Sequence, residues 1–91
     1  MDKIIQLAKE LRKEIDDLPE MKEYLKLKQL LEDNRELKNM RSDIARLTNE
    51  GKLKERDNLL SIYNSHPLVN NFYLAKEEIK TILQTIKNII Q

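Results

Sequence analysis

Phe72-Tyr73-Leu74-Ala75-Lys76-Glu77-Glu78-Ile79-Lys80-Thr81-Ile82-Leu83-Gln84-Thr85-Ile86-Lys87-Asn88-Ile89-Ile90 is the stretch that decides the fold. Phe72, Ala75, Ile79, Ile82, Ile86 and Ile89 recur in alternating steps of three and four, and Leu83 and Ile90 widen the row. Those steps return to one side of an α-helix, which turns once in about 3.6 residues. A stripe this rich in isoleucine is expected to be buried against other helices. It describes an assembly surface and holds almost nothing that a catalyst could use.

Upstream of the stripe, Asn64-Ser65-His66-Pro67 breaks the chain. Pro67 disfavours helical geometry at His66, and Ser65 is the expected cap of a final helix over 67–90. A shorter helix over 52–64 precedes it, with Leu53, Leu59, Leu60 and Tyr63 on its apolar side. Thr48-Asn49-Glu50-Gly51-Lys52 is the strong interior stop, because Gly51 accepts the left-handed conformation that ends helices. Before it, one long helix is expected over 19–49. Its apolar positions run Met21, Tyr24, Leu27 and Leu31, then slip sideways to Leu30, Leu37, Met40, Ile44 and Leu47. The polar run Asp33-Asn34-Arg35-Glu36 should leave its middle solvated, held by pairs such as Glu23–Lys26, Glu32–Arg35 and Asp43–Arg46. Asp17-Leu18-Pro19-Glu20 reads as its start, with Asp17 as cap, Glu20 completing a capping box and Pro19 in the first turn. A first amphipathic helix over 2–16 should bury Ile4, Ala8, Leu11 and Ile15.

The expected fold is therefore all-α: an elongated antiparallel helical hairpin or bundle of about four helices, forming a single domain over 1–91. A helix from Pro19 to Asn49 would span roughly 46 Å, whereas a compact domain of this size has a radius of gyration of about 12–13 Å. Either that helix projects from the core or another chain covers it. A homodimer or higher oligomer is the expectation.

Composition narrows the function. With 17 basic and 16 acidic residues the net charge is +1, and the two signs are interspersed. No block of one sign marks a nucleic-acid stripe or an anionic-membrane patch. The absence of cysteine excludes disulfides, thiolate metal sites and a cysteine nucleophile. No apolar run is long enough for a membrane span or signal peptide, so the chain reads as cytoplasmic, with no membrane insertion.

The residues that could carry chemistry point the same way. His66 is the one histidine. It has no adjacent orienting group, and its position before Pro67 suits a turn or cap better than a general base. The acidic pairs Asp16-Asp17, Glu32-Asp33 and Glu77-Glu78 are helix neighbours, which point about 100° apart and do not converge on one metal. Glu10 with Glu14, and Glu32 with Glu36, share a face but have no histidine there. Lys22, Tyr24, Lys26 and Lys28, and then Lys52, Lys54 and Arg56, are the nearest approach to an RNA-binding pattern. Glu20, Glu23, Glu50, Glu55 and Asp57 dilute both groups. No catalytic residue, cofactor or metal ligand is expected. Tyr63, His66, Leu68 and Tyr73, around the Ser65-His66-Pro67 break, form the candidate partner surface, since tyrosine suits interfaces.

The stretch from Ile44 to Ile90 resembles the YlbF/YmcA family of small bacterial helical proteins. The residues that carry the likeness are Asn49-Glu50-Gly51-Lys52-Leu53, Arg56-Asp57, Leu59-Leu60, Tyr63-Asn64-Ser65-His66-Pro67-Leu68-Val69 and Asn71-Phe72-Tyr73, with the striped helix after them. The resemblance implies an all-helical, non-enzymatic regulator that self-associates or joins related subunits. Better-known members act in a small complex that influences competence, sporulation and biofilm formation. That complex works with a membrane-anchored endoribonuclease in messenger RNA processing and has been linked to iron–sulfur clusters. A chain without cysteine cannot supply thiolates to such a cluster. Either this chain belongs to a cluster-free branch or that complex is not its role.

The function expected is that of a cytoplasmic helical adaptor. It would self-associate through Phe72, Ala75, Ile79, Ile82, Leu83, Ile86 and Ile89, and bind related helical subunits or an endoribonuclease complex. The alternative is a direct RNA-binding accessory protein.

Overall fold

Two prolines and one asparagine set where the helices begin. In the computed structural model, which describes residues 2–90, five helices follow one another: α1 (Asp2–Asp16), α2 (Pro19–Asp33), α3 (Arg35–Asn49), α4 (Leu53–Ser65) and α5 (Pro67–Ile90). The expected helix over 19–49 is thus two helices, and the count of four becomes five. Asn34 is the cause. Its backbone leaves the helical region at ψ 112°, it ends α2, and its side-chain oxygen accepts the Leu37 amide at 2.9 Å to start α3. Asparagine is among the best N-cap residues, and here it outcompetes helix continuation.

The polar run is solvated as expected, with Asp33, Arg35 and Glu36 exposed and Asn34 half-buried, but the leucines on either side of it are not. Leu31 and Leu37, six residues apart, would lie about 120° from each other around one continuous helix. Redirected at Asn34, both enter one cluster with Tyr63 and Val69, and Leu37 and Val69 are fully buried. Met40, Ile44, Leu68 and Phe72 pack around it. Of the expected surface pairs, Asp43–Arg46 forms at 4.0 Å. Glu23–Lys26 and Glu32–Arg35 are not among the ion pairs of the described residues.

The two prolines follow a single rule. A residue before proline is pushed to extended geometry, so it must itself be the N-cap when proline takes the first helical position. Leu18 (ψ 136°) and His66 (ψ 132°) occupy those positions. Asp17 is therefore one residue too early to cap α2, and Leu18 offers no side-chain bond, so the expected capping box does not form. Ser65 is likewise one residue early. Its hydroxyl donates back to the Ile62 carbonyl at 2.8 Å, while His66 Nδ1 accepts the Leu68 amide at 3.1 Å.

Gly51 performs as expected. At φ 74° it closes α3, with the Lys52 amide bonded to the Leu47 carbonyl and the Gly51 amide to that of Thr48. This pairing of bonds is the Schellman helix end. It turns the chain back so that α4 runs antiparallel beside α3, where Arg41 Nη1 donates to the Tyr63 hydroxyl at 3.1 Å. Beyond the breaks at Asn34 and His66, α5 returns along α2, with Tyr24 stacked on Phe72 at 5.5 Å between ring centroids. The architecture is a long helical hairpin interrupted on both limbs at one level, with the tightest packing at that joint. It measures 54 × 23 × 20 Å, with a radius of gyration of 17.9 Å.

Candidate interaction surfaces

The isoleucine stripe divides along its length. Helix α2 has 15 residues and α5 has 24, a difference of roughly 14 Å at about 1.5 Å per residue, so the end of α5 runs past the start of α2. Where α2 lies alongside, the stripe is used within the chain. Phe72 packs on the joint, Ala75 is half-buried and Ile79 is only 6% exposed. Past that point burial decays. Ile82 and Ile86 are half-buried, Leu83 is 41% exposed and Ile89 77%. One row of the sequence thus serves two ends: an internal seam and an open overhang.

Helix α1 is the second open face. Its stripe was expected to be buried, yet Ile4 and Ala8 are exposed, and Leu11 and Ile15 are half-buried beside the turn into α2. The reason is topological. Helix α1 packs against α2 alone and leaves α5 uncovered. The two-residue connection through Asp17 and Leu18 is tied by bonds from the Asp17 amide to the Lys13 carbonyl and from the Leu18 amide to that of Ile15.

The four residues expected on a partner surface are not equivalent. Tyr63 is 7% exposed and belongs to the joint, with its hydroxyl held by Arg41. Leu68 is half-buried against the same cluster, and His66 is half-buried with Nδ1 committed to its helix cap. Tyr73, 47% exposed, is left facing outward, and Leu74 beside it is exposed as well. The break therefore supports the fold more than it displays a patch. Sequence reasoning put Leu37 in the apolar row but not at the centre of the joint, and it missed Arg41 as the partner of Tyr63. The signal for Leu37 lay in Asn34, a strong cap three residues before it.

The basic groups are paired only in part, and Lys22, Lys26, Lys28 and Lys54 are not among the ion pairs of the described residues. Lys52 Nζ lies 3.4 Å from Glu50, and Arg56 pairs with Asp57 at 2.9 Å. Tyr24, the aromatic among the lysines of α2, is stacked on Phe72 rather than free for a base. Among the described residues, no group of three or more histidine, aspartate or glutamate side chains converges as metal ligands do. The two surface grooves described are each lined by a single helix: Asp2, Ile5, Gln6 and Lys9 on α1, and Glu77, Lys80, Thr81, Gln84 and Thr85 on α5. No described helix is long and apolar enough to cross a membrane.

Surface area measures how open the fold is. The accessible surface is 7321 Å². A compact monomer of 10.9 kDa would expose about 5,600 Å². The difference, about 1,700 Å², goes with the elongated shape of 54 × 23 × 20 Å.

Against known proteins, the model of the family described as "Control of competence regulator ComK, YlbF/YmcA" matches residues 4–91. No curated protein and no solved structure matches the chain.

Proposed function

The chain belongs to the YlbF/YmcA family of control of the competence regulator ComK, and from that membership we propose that it is a non-enzymatic helical adaptor. It self-associates through the apolar overhang of α5 and holds a regulatory protein partner on a second surface around Tyr73. Related helical subunits and an endoribonuclease complex are the partners this reading expects. The effects proposed are on competence, sporulation and biofilm formation, exerted through messenger RNA processing.

The observation that carries the reading is the surface left open. Large aliphatic side chains are exposed on α1 and at the end of α5, on a fold whose area exceeds that of a compact monomer. Covering each such side chain contributes roughly 1.5–3 kcal/mol when burial is complete. A chain built this way releases free energy by binding helices.

Cross-linked pull-down of the tagged protein from its own bacterium, read by mass spectrometry, tests the proposal. Recovery of related helical subunits or an endoribonuclease, lost when Tyr73→Asp is the bait, is the expected result. Recovery of the bait alone would remove the partner half of the proposal.

A further inference from the structure

Arg41, Arg46 and Arg56 belong to the α3–α4 half of the hairpin, and one of them lacks an acid. Arg46 lies 4.0 Å from Asp43 and 3.2 Å from Glu50, and Arg56 meets Asp57 at 2.9 Å. Arg41 takes part in none of the ion pairs of the described residues. It is half-buried, and its one side-chain hydrogen bond among those residues runs from Nη1 to the Tyr63 hydroxyl at 3.1 Å. No acid is a helical neighbour of either residue. Three and four positions from Arg41 stand Leu37, Lys38, Ile44 and Ala45, and from Tyr63 Leu59, Leu60, His66 and Pro67. Because Tyr63 is buried in the joint, the bond ties one corner of the guanidinium to the core. A hydroxyl oxygen does not neutralise a cation. Nε and Nη2 remain, and they form an edge that takes both oxygens of a carboxylate. We propose that Arg41, oriented by Tyr63, is a docking point for an acidic side chain of a protein partner. The site rests on the adaptor reading for there being such a partner, and on nothing about self-association.

In the free chain, water reaches the exposed part of the Arg41 side chain. Once another protein covers it, an unpaired guanidinium is costly, and a carboxylate offsets that cost. A partner without an acid at that point is disfavoured, so Arg41 selects as well as holds. Nucleic acid fits less well. Exposed Lys38, one turn earlier on α3, adds a positive charge beside Arg41, while Arg46 and Arg56 are already paired with carboxylates. The positive area is therefore a small spot rather than the track that a phosphate backbone needs.

The probe is a capped oligoglutamate peptide, titrated into the isotope-labelled full chain while the arginine Nε–H resonances are followed by NMR. Arg12 and Arg35, exposed and outside the ion pairs of the described residues, are internal controls. The expected result is saturable movement of the Arg41 resonance at concentrations about tenfold below any that move Arg12 or Arg35. Arg41→Lys keeps the charge and loses the two-pronged edge, and should weaken the peptide about tenfold at unchanged helicity. No movement of Arg41, movement of all three arginines together, or full binding to Arg41→Lys would overturn the site. So would saturation of Arg41 by inorganic phosphate or a short RNA but not by the peptide, which would make it a phosphate site. None of these results bears on the pull-down with Tyr73→Asp, so the adaptor reading is tested apart from them.

Discussion

The side-chain oxygen of Asn34 accepts the backbone amide of Leu37 at 2.9 Å, and this bond places Leu37 in the core. It starts α3 in a new direction, so that Leu31 before the break and Leu37 after it reach Tyr63 and Val69 together. Replacing Asn34 with alanine should cost about 1 kcal/mol, the usual worth of such a cap. Asn34→Asp, which keeps the acceptor, should lie close to the parent. Urea denaturation followed by circular dichroism checks both.

His66 caps α5 in the same manner, and the two residues one position too early do not. His66→Ala should destabilise by about 1 kcal/mol, with His66→Asn recovering most of it. Asp17→Ala and Ser65→Ala should each change stability by less than about 0.5 kcal/mol, as exposed substitutions without a capping bond do. Parallel denaturation curves of the four variants separate these outcomes.

At the joint, packing outweighs hydrogen bonding. Leu37 is fully buried, so Leu37→Ala should cost about 2–5 kcal/mol. Tyr63→Phe keeps the ring and loses the bond from the charged Arg41, which is worth about 1.5–3 kcal/mol at most. Thermal melts of both variants test the ranking, and a Tyr63→Phe loss as large as that of Leu37→Ala would reverse it.

Acid should act on the hairpin tip. Arg46 donates to Glu50 at 3.2 Å, and this bond above all holds the Glu50 carboxyl below its usual range; desolvation opposes it, and the Lys52 bond and both positive charges add to the lowering. A lowered folded-state pKa favours the ionised form, so the contribution is fully present above the ordinary glutamate value of about 4.3. It is lost as pH falls through the lowered one. Glu50→Gln should therefore be slightly less stable than the parent at neutral pH, with the gap closing in acid and in high salt. Denaturation midpoints of the pair at several pH values measure that gap.

Much of this fold was legible in the residues. The Phe72–Ile90 stripe, the Gly51 stop and the Pro67 start all mark boundaries that the structure keeps. Each has one dominant cause: periodicity, a left-handed glycine or a fixed proline φ. Asn34 was harder to place, because a cap inside a good helix sequence competes with continuation, and the outcome depends on tertiary packing of Leu31 and Leu37. The capping errors at Asp17 and Ser65 came from ranking side chains by cap preference ahead of the pre-proline constraint, which had already chosen Leu18 and His66. Of the candidate surface, Tyr73 could be read from the helical period, since it lies off the stripe. Tyr63 could not, because its burial depends on α3 crossing beside α4. Which part of the α5 stripe stays open, and that α1 stays open, was invisible for the same reason: periodicity says which side is apolar and is silent about what covers it.

The central claim is that these open faces are made to be covered by other helices. Sedimentation of the unmodified chain across a concentration range, with Ile82→Asp beside it, tests this most directly. The account predicts a parent mass at a multiple of 10.9 kDa, and dissociation or unfolding of Ile82→Asp, which places an unpaired charge in the overhang that another helix covers. A fully helical parent that stays at 10.9 kDa at every concentration, or an Ile82→Asp assembly of unchanged mass and helicity, would contradict it.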